Sequence, residues 1–233
     1  MRTSEAAARD NSVYEGGALR EVTGCTIRPG GLGLTERAVD FCRFRPGAAV
    51  LDVGCGAGAT VEHLRSRYGL EASGVDASPV LVEEGLRRNP ALPLSVGWAE
   101  KVDLPAAALD GVVCECVLSL VRDPLAALAE FGRVLRPGGY LIASDVYHRR
   151  DAQGGARDRL LPSPGPSARR EILAGLAACG FSLLLWEDHT PLLKEMAARL
   201  MLAHGSLEGL CSFGSAVRPG YYLLVAGKTT LGG

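Results

Sequence analysis

The chain has 233 residues, 47% of them hydrophobic and 22% charged, and a formal net charge of −1. That length suffices for one large α/β domain with its own core, and the near-neutral balance leaves no broad basic field for nucleic acid or anionic lipid. No apolar run approaches the roughly 20 residues of a membrane span, and MRTSEAAARDNSVYEGG at the N-terminus has no apolar signal core, so a cytoplasmic protein without membrane or nucleic-acid partners is expected.

In chain order, residues 1–34 read as a polar, Gly/Ala-rich N-terminal segment ending in the turn cluster Arg28 to Gly33, RPGGLG. Thr35 is expected to cap the helix LTERAVDFCRF, which Pro46-Gly47 stops. AAVLDV follows as a strand too apolar for a sheet facing water. Helix at Thr60–Tyr68, strand in EASGVDAS and helix at Pro79–Arg88 come next, the last with Ser78 as cap and Pro79 in its first turn. LPLSVGWA and Leu109–Leu118 read as strands. Asp123 caps a helix that Pro124 opens and that runs to Leu135, and RPGG then turns the chain into the strand YLIASDVY. This rhythm predicts a doubly wound, mostly parallel sheet with helices on both faces. Residues 148–167 break it with a long loop or insertion. A helix (Ala168–Cys179), a strand (Phe181–Trp186), a helix (Pro191–His204) and a strand (Gly220–Ala226) complete a seven-stranded α/β domain expected to span 1–233.

Seven cysteines without an export signal read as reduced, mostly buried thiols. No C-x-x-C occurs, and Cys114 and Cys116 lack the spacing of a zinc site, so no metal is expected.

The stretch VLDVGCGAGA, Val50 to Ala59, carries glycines at 54, 56 and 58 where a strand gives way to a helix. Glycines there let the backbone approach a ligand closely, and the N–H groups of the helix start are expected to face it. Two ligands are open at this point. Gly54, Gly56 and Ala59 satisfy the looser dinucleotide pattern, with Asp76 about twenty residues on for the ribose. Gly58, however, adds a third alternate glycine, and Asp52 puts a carboxylate at the strand end, where it repels a pyrophosphate and attracts a ligand with a cationic amino-acid portion.

LDVGCGAG, then GVDAS, then RVLRPGGYLIASDVY resemble the class I S-adenosylmethionine (SAM)-dependent methyltransferases over Leu32 to Tyr147. The resemblance implies SAM as cofactor, with its methionine part in the loop of Asp52, Gly54, Cys55, Gly56 and Gly58, and both ribose hydroxyls on Asp76, beside Ala77. Members often read G-D-A-E after the third strand, the aspartate taking the adenine amino group. Here the chain reads Gly97-Trp98-Ala99-Glu100. Trp98 stacks on adenine or fills the core, and Ala99 and Glu100 meet the adenine edge. An NAD-linked oxidoreductase and a non-catalytic SAM-binding protein are the competing readings.

A small-molecule methyl acceptor is expected beyond the carboxyl ends of the strands. Cys116 and Glu115 should lie there, with Cys114 inside the strand as a small hydrophobe. Glu115, His148 and His189 are the candidate bases for an oxygen or nitrogen acceptor. Asp188, in WEDH, is expected to cap the next helix. CECVLSLV followed by SDVY also resembles arsenite methyltransferases, which implies metalloid binding at Cys116. Cys25 and Cys211 are the other thiols available, since the loop from Arg149 to Arg170 has none. Positive charge from helix starts and the sulfonium would favour a Cys116 thiolate and a soft acceptor, a thiol or metalloid. Residues 28–31 and the N-terminal segment are expected to form a lid. Oligomeric state is open.

Overall fold

The computed structural model describes residues 15, 21, 23–149, 165–205 and 218–229. Most of the expected N-terminal lid and of the 148–167 loop lies outside them, as does Cys211.

Eight strands form one sheet: β1 (Ala49–Val53), β2 (Glu71–Asp76), β3 (Leu94–Val96), β4 (Leu109–Glu115), β5 (Leu135–His148), β6 (Ser167–Ala168), β7 (Phe181–Asp188) and β8 (Pro219–Lys228). Seven of them run in the order β3-β2-β1-β4-β5-β8-β7. The eighth, β6, adds two residues beside Tyr147 and His148, where β5 has outrun β4. β8 lies antiparallel to both β5 and β7, and the other pairings are parallel. β4 is buried at every residue and β1 at all but its first, which is why neither alternates polar and apolar positions.

Helices cover both faces. Against Val50, Val113, Ile142 and Tyr221 pack α1 (Gly31–Cys42), α2 (Ala59–Tyr68), α3 (Pro79–Arg88) and α6 (Thr190–His204). Against Leu51, Val112, Leu141 and Tyr222 pack α4 (Pro124–Val134) and α5 (Arg169–Ala178). The consecutive residues Tyr221 and Tyr222 thus enter opposite layers, as the pleat requires. Phe131 and Leu128 of α4 are buried among them, each worth about 1.5–3 kcal/mol relative to exposure. Ser78 and Asp123 cap α3 and α4 as expected, accepting from the N–H groups of Leu81 (3.2 Å) and Ala126 (3.0 Å).

Two boundaries differ with consequences for the site. α1 begins at Gly31, not after Thr35, because Gly30 supplies the left-handed turn that starts it. Thr35 is one turn inside, where its hydroxyl meets a buried charge rather than a helix end. β4 ends at Glu115, short of the expected Leu118, because Cys116 turns left-handed with φ 59°.

The order reverses direction at β1 and β4, the point outside which open α/β sheets bind ligands. The loop after β1 is held there by α3. A Cβ on Gly85 would stand 2.6 Å from the Ala57 carbonyl oxygen and 2.7 Å from Leu94 Cδ1. Gly85→Ala is therefore expected to destabilise the fold by about 1–3 kcal/mol, despite alanine's better helix propensity. Urea unfolding measures it, and a stabilised variant would contradict the close approach.

Candidate functional site

Gly54, Gly56 and Gly58 all have positive φ (76°, 53° and 81°). The loop's amides are used differently from the expectation that they face a ligand. Gly54 and Cys55 both donate to the Val75 carbonyl, at 2.8 and 3.1 Å, and Gly58 donates to Cys55 O at 2.9 Å. The Gly56 N–H donates to Asp76 Oδ2 at 2.7 Å. The loop is laced to the end of β2 before any ligand arrives. A Cβ on Gly54 would stand 2.1 Å from the Val117 side chain, whereas one on Gly56 would meet nothing within 4 Å. Gly56 is the open side of the cradle. The Cys55 side chain is buried against Gly74, so only its backbone belongs to the loop.

Asp76 is the other half of the clasp. Its Oδ1 accepts the Ser78 N–H at 2.8 Å, across Ala77, so the carboxylate joins the glycine loop to the start of α3. Burial raises its pKa, against those two N–H groups. The Ser78 hydroxyl lies 2.6 Å from Glu15 Oε1, which brings Glu15 to this corner. Farther along, Trp98 is 53% exposed, which overturns the core-filler alternative. Ala99 is buried beneath it. Glu100 Oε1 accepts the Arg122 N–H at 3.2 Å, so this carboxylate leans toward the entry to α4.

Below the loop lies a buried charge cluster. Arg28 Nη2 is 2.8 Å from Glu115 Oε2, and contacts the Thr35 and Thr60 hydroxyl oxygens at 2.6 and 3.1 Å. Thr35 donates to the same Glu115 carboxylate at 3.0 Å. Arg28 is 7% exposed, and its Nε finds no partner among the described residues. Asp52 is 3% exposed. Burial pushes its carboxyl up to about 8, Glu115 and Asp76 add to the rise, and Arg28 opposes it. Burial likewise raises Glu115, offset by Arg28 and Thr35. Glu115, expected as a base, is thus committed as the counter-ion of Arg28.

The next group along β4 overturns another expectation. The Cys116 Sγ lies 3.1 Å from the Tyr221 hydroxyl, which is 3.1 Å from Ser144 Oγ. Burial, with Asp145 adding, drives the Cys116 pKa upward, against the weaker pull of Tyr221 and Arg28. Burial, with Asp145 second, outweighs the positive charge expected to favour a thiolate and keeps it a thiol. Cys114 is fully buried in the core, as expected. Nothing is described for the Cys25 side chain. Among the described residues, no group of three or more His, Cys, Asp and Glu could hold a metal ion.

His148 ends β5 beside Ala168 and Pro219, and its buried Nδ1 has no partner among the described residues. His189 Nε2 lies 3.0 Å from Glu187. Asp188 accepts the Thr190 N–H at 2.8 Å at the start of α6, the cap expected of it. Thr35, Thr60, Tyr221 and Ser144 were not singled out as site residues in the sequence. Arg28 was expected only as part of a lid, and the structure instead buries it against Glu115.

Comparison with known proteins gives a consistent family. A model described as a methyltransferase domain matches residues 51–143. The chain is 36% identical over 111 residues to malonyl-(acyl-carrier protein) O-methyltransferase of Serratia marcescens, covering 48% of this chain and 43% of that protein. It spans about half or less of the length of the first curated relatives it matches. Among solved structures, the (4+2)-cyclase SpnF aligns with a TM-score of 0.76 and 22% identity, over 97% of this chain and 96% of that one. Phosphoethanolamine N-methyltransferase 2 of Haemonchus contortus, in complex with S-adenosyl-L-methionine, aligns at 0.74 and 18%, over 95% and 57%. At those identities the two structures share the fold with this chain.

The buried pair carries its own test. Removing one partner leaves an uncompensated charge in the interior, so Arg28→Met and Glu115→Leu are each expected to cost about 3–5 kcal/mol. The double variant Arg28→Met/Glu115→Leu should recover most of that loss. Urea unfolding of the double-mutant cycle measures the coupling. Single losses below about 1 kcal/mol, typical of an exposed pair, would contradict the buried network.

Proposed function

We propose that this chain, whose residues 51–143 match a methyltransferase domain, is a class I SAM-dependent methyltransferase that binds SAM at the carboxyl ends of β1, β2 and β4 and methylates a small molecule. The observation that carries this reading is the Asp76 clasp. Each oxygen of that carboxylate already accepts one backbone N–H. Each keeps a second lone pair, which matches the two hydroxyls of a ribose.

The rest of the cleft fits the same ligand. The open side over Gly56 admits a chain that a side chain there would obstruct. Asp52 places a carboxyl at the end of β1, on the side where the amino-acid portion of the ligand would lie. The exposed Trp98 offers an aromatic face to adenine, with Ala99 and Glu100 beside it. When bound, SAM supplies a methyl carbon made electrophilic by its sulfonium.

The protein's own part is alignment and proton handling. Glu115 is taken by Arg28 and Cys116 by Tyr221. His148, whose Nδ1 is unpartnered among the described residues, is the group left to accept a proton from an oxygen or nitrogen acceptor. The protonated Cys116 weighs against a thiolate-bound metalloid, so the acceptor is an organic molecule with a hydroxyl or amine.

A thermal-shift panel tests the cofactor. S-adenosylhomocysteine (SAH) at about 100 times its dissociation constant should add about 2.7 kcal/mol of stability, and NAD(H) and NADP(H) none. The reverse pattern would refute the reading. Asp76→Ala should weaken SAH binding by about 1.5–3 kcal/mol in a protein that still folds. An unchanged affinity by calorimetry would remove Asp76 from the site. With labelled SAM and a panel of phenols, amines, thiols and arsenite, label should reach oxygen or nitrogen acceptors. Cys116→Ser should keep the wild-type rate, and transfer to arsenite alone, lost in Cys116→Ser, would restore the metalloid reading.

A further inference from the structure

The turn that follows β4 opens on a strained residue. Cys116 has φ 59°, a left-handed conformation that residues with a Cβ avoid. Ile27 and Arg43 share it at helix ends, where it is common. Cys116 adopts it at the exit from a buried strand, and three contacts hold it there. Its N–H donates to the Ser144 carbonyl oxygen at 2.7 Å. Its Sγ lies 3.1 Å from the Tyr221 hydroxyl, which lies 3.1 Å from Ser144 Oγ. Tyr221 is fully buried.

The next residue reaches the glycine loop. Val117 Cγ2 stands 2.1 Å from the place a Cβ on Gly54 would take, so Val117 packs directly on the Gly54 backbone. The far side of the turn is anchored separately. Ser119 donates to Asp145 through both its N–H and its hydroxyl, each at 2.8 Å. The N–H groups of Leu120 and Val121 close on the Val117 carbonyl oxygen at 2.8 and 3.1 Å. With that side fixed, the backbone dihedrals of Cys116 determine whether Val117 meets Gly54.

Strain that the surroundings over-determine marks functional geometry. We propose that Tyr221 is a positioning residue for cofactor binding: its hydroxyl holds Cys116 left-handed, and Cys116 in turn seats Val117 against the glycine loop. The inference rests on the cofactor reading above and adds to that site a residue of β8, a strand that β5 separates from β4. Without the hydroxyl, Cys116 relaxes toward an ordinary backbone in part of the population. Fewer molecules then hold Val117 in place, and the apparent affinity falls by the same fraction. Glycine takes the left-handed conformation without steric cost, so glycine at 116 should make the hydroxyl dispensable.

The experiment is isothermal titration calorimetry of the whole protein with SAH, alongside urea unfolding of each variant. Tyr221→Phe should fold and bind SAH about five- to tenfold more weakly than wild type. Tyr221→Phe/Cys116→Gly should return to within about twofold of wild type. Val117→Ala, which removes the contact with Gly54 itself, should also weaken SAH binding. A role in packing alone gives a different pattern: lower stability with unchanged affinity, or an affinity loss that glycine does not restore. Either result in a folded Tyr221→Phe overturns the inference. Should Tyr221→Phe not fold, Val117→Ala carries the test, and unchanged affinity there overturns the inference as well. In each of those cases wild type still binds SAH and the cofactor reading stands. Failure of wild type to bind SAH overturns the cofactor reading and takes this inference with it.

Discussion

One guanidinium stands where β1 and β4 deliver carboxyl groups. The Arg28–Glu115 pair is the interaction on which the site's geometry depends, because it joins the segment before α1, the end of β4 and, through Thr60, the first turn of α2. Taking both charges out of water costs several kcal/mol per ion, and the pair holds only because hydroxyls and a close contact repay that cost. The loop above it is secured independently, by amides that donate to Val75 and Asp76. The cleft thus has a floor made of charge and a wall made of backbone.

These two fastenings explain how an α/β sheet presents an open edge without filling it. Gly85 lets α3 press on the loop, and Gly54 lets Val117 approach it from β4's side. Of the loop's glycines 54, 56 and 58, only Gly56 faces open space. At the neighbouring strand end, Cys116 adopts a left-handed backbone at a cost of about 1–2 kcal/mol, which its bonds to Ser144 and Tyr221 help to offset. The same fold serves the (4+2)-cyclase SpnF, so the sheet alone decides no chemistry. The distinction lies in the side chains at its edge.

Much of this was legible in the residues. The β-α rhythm, the glycine spacing and the paired signals Ser78-Pro79 and Asp123-Pro124 are local, and local rules placed them well. β6 was not legible, because two residues carry no periodicity. Thr35 was misread as a cap because its type suits a cap. Its real partners, Arg28 and Glu115, lie 7 and 80 positions away in the sequence. Tyr221 looked like an ordinary strand aromatic, since only the pairing of β5 with β8 brings its hydroxyl to Ser144 and Cys116. The expectation of a Cys116 thiolate failed for a related reason. It counted positive charge from helix starts and the sulfonium and had no measure of burial or of Asp145 on the neighbouring strand.

The account stands or falls on what fills the cleft between the glycine loop and Asp76. A crystal structure grown with SAH asks this directly. The account predicts the ribose hydroxyls within hydrogen-bond distance of the Asp76 carboxylate, the adenine against Trp98, and the ammonium beside Asp52. Ligand density elsewhere on the protein, or a ribose turned away from Asp76 in a fully occupied cleft, would contradict it.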